Sequence, residues 1–314
     1  MKRSAPYAAA LAGVLVVVLA GIASAGPHFS AWSPAQKIDE IGGNSSELNT
    51  PFLDGCPIQS PDGLNLYMAS NRPRFEGDAR TDLDIWVAHR ATTDAPWGAP
   101  QNLGEPVNST ADDFCPTPIR GGGLFFVSRE ALPGSCGGSD IYFTRFDPKD
   151  GWREPVHLAC APTGPNSALD EQGPSYVEVD GRKLLYFSSG PDIYVSEKAD
   201  GAFGPATPVA ELNTAGGDIQ PNVRKDGLEI VFASNEASRP GWLGGFDLYG
   251  ATRDSIDDTF SAPVNLGGAV NTAANETRPS SSWGALKLLF GRAPGPEGST
   301  DIYVATREKV VGGG

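Results

Sequence analysis

The chain is poor in residues that bind metals or carry out nucleophilic chemistry. Its three histidines, His28, His89 and His157, are scattered, and its four cysteines lack the close paired spacing of a zinc centre. No Gly-x-Ser-x-Gly elbow, phosphate-binding glycine loop, His-Glu-x-x-His helix or dinucleotide fingerprint occurs, so no cofactor is expected. Positive charge is also scarce. The net charge of −14 argues against nucleic acid and anionic lipid as partners, because their phosphates would be repelled. Helix-like periodicity is sparse, and 39 glycines and 27 prolines punctuate the sequence, which excludes a helical bundle and points to an all-β protein with many turns.

One long apolar run exists, at residues 8–22. Lys2 and Arg3 precede it and Ala23-Ser24-Ala25 follows it, which fits an export signal cleaved before Gly26. Cleavage would take the net charge to −16 and leave a periplasmic or secreted protein with no membrane insertion, expected to be a monomer of a single domain over residues 26–314.

What the sequence does have is a repeat. The pattern Asn-Ser/Thr-x-x-x-Asp/Glu-x-x-Pro occurs at 49–57, 108–116, 166–174, 213–221 and 271–279. That spacing is the length of a four-stranded propeller blade with its loops. Each copy is followed by a turn, such as Asp62-Gly63 or Gly122-Gly123, and by an apolar run, such as Leu66-Tyr67-Met68-Ala69. An Asp-Ile/Leu-Tyr/Trp strand then starts at Asp84, Asp140, Asp192, Asp247 and Asp301, and an aromatic-led segment at Trp32, Trp97, Trp152, Phe203 and Phe260. The first aromatic-led segment has no repeat before it, and the last repeat lacks one. The fold predicted is therefore a five-bladed β-propeller closed by an N-terminal outer strand.

Strand direction gathers the motif acids Asp54, Asp113, Glu171, Asp218 and Glu276 on one face, together with Arg72, Arg129 and Arg292 and the longest loops. That loop-rich mouth is the expected ligand face. A carboxylate ring there could bind a cation or serve a sugar, whereas presence in all five repeats suits a blade-stabilising role, as it does for the third-strand aspartates. Departures from the repeat are the sharper candidates. Trp242, in a long loop on that face, offers an indole to a sugar or a proline, with Arg239 beside it. Arg278 is an unmatched charge expected to pair with Glu276. The cysteines suggest disulfides Cys136–Cys160 and Cys56–Cys115, the latter from equivalent positions in neighbouring blades.

The run from Ser60-Pro61-Asp62-Gly63 through Ser70-Asn71-Arg72, followed by Asp84-Ile85-Trp86-Val87-Ala88, resembles a TolB-type propeller repeat. So does the stretch from Lys225-Asp226-Gly227 to Ser234-Asn235 with Asp247-Leu248-Tyr249. The resemblance spans residues 32–307 and implies an exported, non-enzymatic binding or scaffolding propeller that engages a protein or a cell-envelope glycan at the loop-rich mouth. The separate α/β domain and sixth blade of TolB are not visible. The alternative is a glycoside hydrolase or lectin-like protein, because five-bladed propellers also include glycosidase families. The sequence assigns no catalytic residue.

Overall fold

The computed structural model describes residues 28–131 and 133–310. The expected export signal lies outside them. Five antiparallel sheets, each built on a path of four strands, follow one another around an axis. Their inner strands are Asp54–Gln59, Asp113–Ile119, Glu171–Val179, Asp218–Val223 and Asn275–Ser281. The second strand of each blade packs between neighbouring blades and carries a continuous apolar run instead of alternating. Phe125, Phe126, Leu185, Phe187, Val231, Phe232, Leu289 and Phe290 are all buried. A strand covered on both faces has no polar side to show, which is why these runs are continuous.

Closure is as predicted. Gln36–Lys37 pairs antiparallel with Asp301–Thr306, setting Gln36 opposite Val304 and Lys37 opposite Tyr303. The final blade thereby loses its exposed edge. In blades two and three the aromatic-led segment pairs as expected, with Trp152 opposite Phe146 and Phe203 opposite Lys198, and the chain pairs again at Val156 and Thr207. In the other three blades pairing falls four residues after the aromatic residue, at Gln36, Gln101 and Val264, while Trp32, Trp97 and Phe260 are buried. The aromatic residue caps the blade core, and the proline after it redirects the chain onto the edge.

The five-fold motif is a blade-to-blade clamp. Asn108 accepts a hydrogen bond from the Ile85 amide at 2.8 Å and donates to the Ile85 carbonyl at 3.0 Å. Asn166 holds Ile141, Asn213 holds Ile193, Asn271 holds Leu248 and Asn49 holds Ile302 in the same way. Each asparagine thus ties its own blade to the third strand of the blade before it. The motif proline follows a residue with positive φ in every blade: Cys56, Cys115, Gly173, Gln220 and Arg278. Register shifts there mark a bulge in each inner strand, with proline where no ladder hydrogen bond is required.

Candidate functional site

The five motif acids start the inner strands on one face, and all five are buried. Each carboxylate accepts the amide of the Ser or Thr four residues before it, from Thr50, Ser109, Ser167, Thr214 and Thr272. In three blades an arginine in or after the second strand completes the lock. Arg72 binds Asp54, Arg239 reaches Asp218 at 2.8 Å, and Arg292 reaches Glu276 at 2.7 Å. Each of these arginines also donates to a loop carbonyl, of Glu47, Leu212 and Val270 respectively. Burial and pairing turn these six groups away from solvent and toward holding the blade.

The lock is broken in blades two and three. Arg129 leaves Asp113 and lies 3.9 Å from Asp112, with its side chain 46% exposed and its guanidinium over the Phe114 ring. Burial pushes the Asp113 carboxyl up to about 6, and its Oδ1 has no partner among the described residues. In blade three no arginine reaches Glu171 among the described residues, and burial raises its carboxyl. Glu171 is held instead by the hydroxyls of Ser167 and Ser189 at 2.6 and 2.7 Å.

The same two blades carry a feature the repeat pattern hides. The residue just before the motif acid is Leu53, Asp112, Asp170, Gly217 and Asn275 in turn. Asp112 and Asp170 therefore stand at one position on neighbouring inner strands, which contact each other, and the other three blades have no acid there. Asp112 accepts the Leu83 amide at 2.9 Å and is partly open. Asp170 is exposed, with Ser139 Oγ 3.5 Å from its Oδ1. Two open carboxylates with a free guanidinium beside one of them form the asymmetric patch of this face.

The axis itself is filled. Arg278 does not pair with Glu276, whose partner is Arg292. The residue is 4% exposed, and its guanidinium turns inward and donates to the carbonyl of Cys115 at 3.1 Å, with the Pro174 carbonyl and Thr117 Oγ1 at 3.5 Å. Gly173 makes room for it, since a Cβ there would lie 2.6 Å from Arg278 Nη1. Cys56 and Cys115 are thiols with sulfurs 2.8 Å apart, so the bridge expected between them is not made, whereas Cys136–Cys160 is a disulfide. The bulge brings the two sulfurs together on the axis, and closing the bond would still require an oxidant. His157 lies near the Cys136–Cys160 pair, but the bridge occupies both sulfurs that would otherwise bind a metal.

Trp242 is 39% exposed and donates its indole N–H to the Gly245 carbonyl at 3.0 Å, folding onto its own loop. Arg239 is drawn inward to Asp218, so the two are not presented together. The acidic loop after Arg72 is internally neutralised, with Arg74 on Asp78 and Arg80 on Asp82.

No family model and no curated protein matches the chain. Solved structures do. A GH43 endo-arabinanase from Bacillus licheniformis aligns with a TM-score of 0.53 at 13% identity, covering 83% of this chain and 94% of its own. A mutant α-L-arabinanase from Cellvibrio cellulosa gives 0.52 at 12%, covering 81% and 92%. An exo-1,5-α-L-arabinanase from a bovine ruminal metagenomic library gives 0.52 at 11%, covering 84% and 99%. At such identities the likeness establishes the fold. It also corrects two expectations: the TolB-type resemblance and the non-enzymatic scaffold drawn from it give way, because the matched propellers are five-bladed glycoside hydrolases. The residues that suggested TolB are those that build a blade of this kind: a glycine turn, a buried second strand and the start of the third strand at Asp84.

Proposed function

We propose that the protein is an exported glycoside hydrolase whose reacting carboxylates are Asp112 and Asp170. The observation that carries this reading is their asymmetry: two open acids at one position of adjacent inner strands, absent from the other three blades. Glycosidic cleavage needs two carboxyl groups in different roles flanking the bond. Asp112, beside the Arg129 guanidinium, is assigned the base or nucleophile. Asp170, with no arginine beside it, is assigned the proton donor to the leaving oxygen. Asp113 and Glu171, directly behind them and buried, position the start of each strand without touching substrate.

The test is release of reducing ends from a panel of polysaccharides that includes arabinan, using the wild type and Asp112→Asn and Asp170→Asn. Hydrolysis that falls roughly 10²–10⁴-fold in each variant, at unchanged melting temperature, supports the assignment. Hydrolysis that persists in both variants removes it, and so does a folded wild type inert on the whole panel. The anomer released first, followed by NMR, reports whether the pair retains or inverts.

A further inference from the structure

The opposite mouth of the ring, where the inner strands end, opens into a cavity of about 200 Å³. Its walls include turns of three blades: Arg120 from blade two, Lys225 from blade four and Trp283 from blade five. Trp283 is 38% exposed and draws both cations to itself, with the Arg120 guanidinium 4.7 Å and the Lys225 ammonium 5.6 Å from the ring. Neither cation meets a carboxylate at ion-pair distance among the described residues. The other charges of the lining are already satisfied. Arg224 is held by Asp226 and Glu229, and Glu178 by Lys183 at 3.7 Å and by the Tyr176 hydroxyl at 3.1 Å. Two cations without a carboxylate partner, each against the same indole at the rim of a cavity, are out of keeping with a chain of net charge −14. Like charges that share one ring and lack a carboxylate favour an anion that can meet them.

We propose that this turn-side mouth binds an acidic sugar, a uronate unit whose carboxylate lies between Arg120 and Lys225 and whose hydroxyls meet the amides of Gln59 and Asn222. The cavity is below drug-sized pockets in volume and suits a single sugar unit. The sugar part of the assignment rests on the carbohydrate reading above; the anionic part rests on the mouth alone. Arg278 closes the axis between the two faces, so this mouth is a site separate from Asp112 and Asp170.

Titration calorimetry with a uronate oligosaccharide, a neutral oligosaccharide of equal length and inorganic sulfate tests it. The uronate is expected to bind, to weaken as salt rises, and to lose about ten-fold or more in the Arg120→Gln, Lys225→Gln double variant. Equal binding of the neutral oligosaccharide, or uronate binding that survives the double variant, overturns the proposal. Sulfate binding as tightly as the uronate overturns the sugar assignment. Uronate binding that is intact in Asp112→Asn and lost in the double variant supports a separate site even if the protein hydrolyses nothing, so the two readings fail independently.

Discussion

Arg129 lies 3.9 Å from Asp112 and leaves Asp113 without a cation, whereas Arg239, from the loop after the second strand two blades on, lies 2.8 Å from Asp218. One arginine is part of a buried lock, and the other is open to solvent. Substitution separates them. Arg239→Ala strands a carboxylate in the blade and is expected to cost about 3–5 kcal/mol in urea unfolding. Arg129→Ala is expected to cost less than about 1 kcal/mol, while reducing hydrolysis if it supports Asp112.

The Asp113 carboxyl gives a pH signature of definite sign. Burial raises it from 3.8 to about 6, so the folded state holds a proton there that the unfolded chain releases. Its favourable contribution is complete below pH 3.8 and is lost as pH rises through about 6. Asp113→Asn removes that loss, of order 3 kcal/mol. The stability difference between variant and wild type should therefore swing in favour of the variant across this window. A difference that stays flat with pH would contradict the assignment.

Gly173 is the smallest of the five bulge residues and faces the largest. At φ +61 its Cβ would meet Arg278 Nη1 and the Gln220 backbone, both at 2.6 Å. Gly173→Ala is expected to destabilise by about 1–3 kcal/mol through overpacking and a strained φ. Relief of that loss in the Gly173→Ala, Arg278→Ala pair, measured as a double-mutant cycle, would identify the guanidinium as the obstacle.

The thiols on the axis are poised to cross-link. Burial pushes Cys115 up, but the hydrogen bond from Cys56 and the Arg278 charge reverse this and bring it down to about 7. Diamide, taking up the two thiol hydrogens, is expected to join Cys56 to Cys115. Thiol titration of the denatured product should then find none of the two thiols present before treatment. Two thiols remaining would show that the inner strands hold the sulfurs apart.

Blade count, strand order and ring closure were legible because they are local and repeat: a turn, an apolar run and a short Asp-led strand recur in register. Exposure was not legible. Five equivalent acids in a sequence look like a ring of charge, and only the packed blade shows Asp54, Asp218 and Glu276 closed over by arginine. Arg278 was misread because chain neighbours suggest partners, while the bulge at its position swings the side chain to the axis. Asp112 and Asp170 were present as a signal all along, in the Leu, Asp, Asp, Gly, Asn series before the motif acid. A search for what repeats passes over such a series. The TolB resemblance failed for the same reason, since it rested on the turn, the apolar run and the Asp-led strand that recur from blade to blade.

The Arg278 seal makes the ring a solid disc with two unconnected faces. A polysaccharide cannot be threaded through it like a filament through a bead. For the hydrolase proposed above, a chain would have to lie across the acidic face or offer it an end, so the loops that border Asp112 and Asp170, and not any channel, would decide whether chains are cut internally or trimmed. Mutations on one face can accumulate with little effect on the other, provided that the five bulges between them keep their shape.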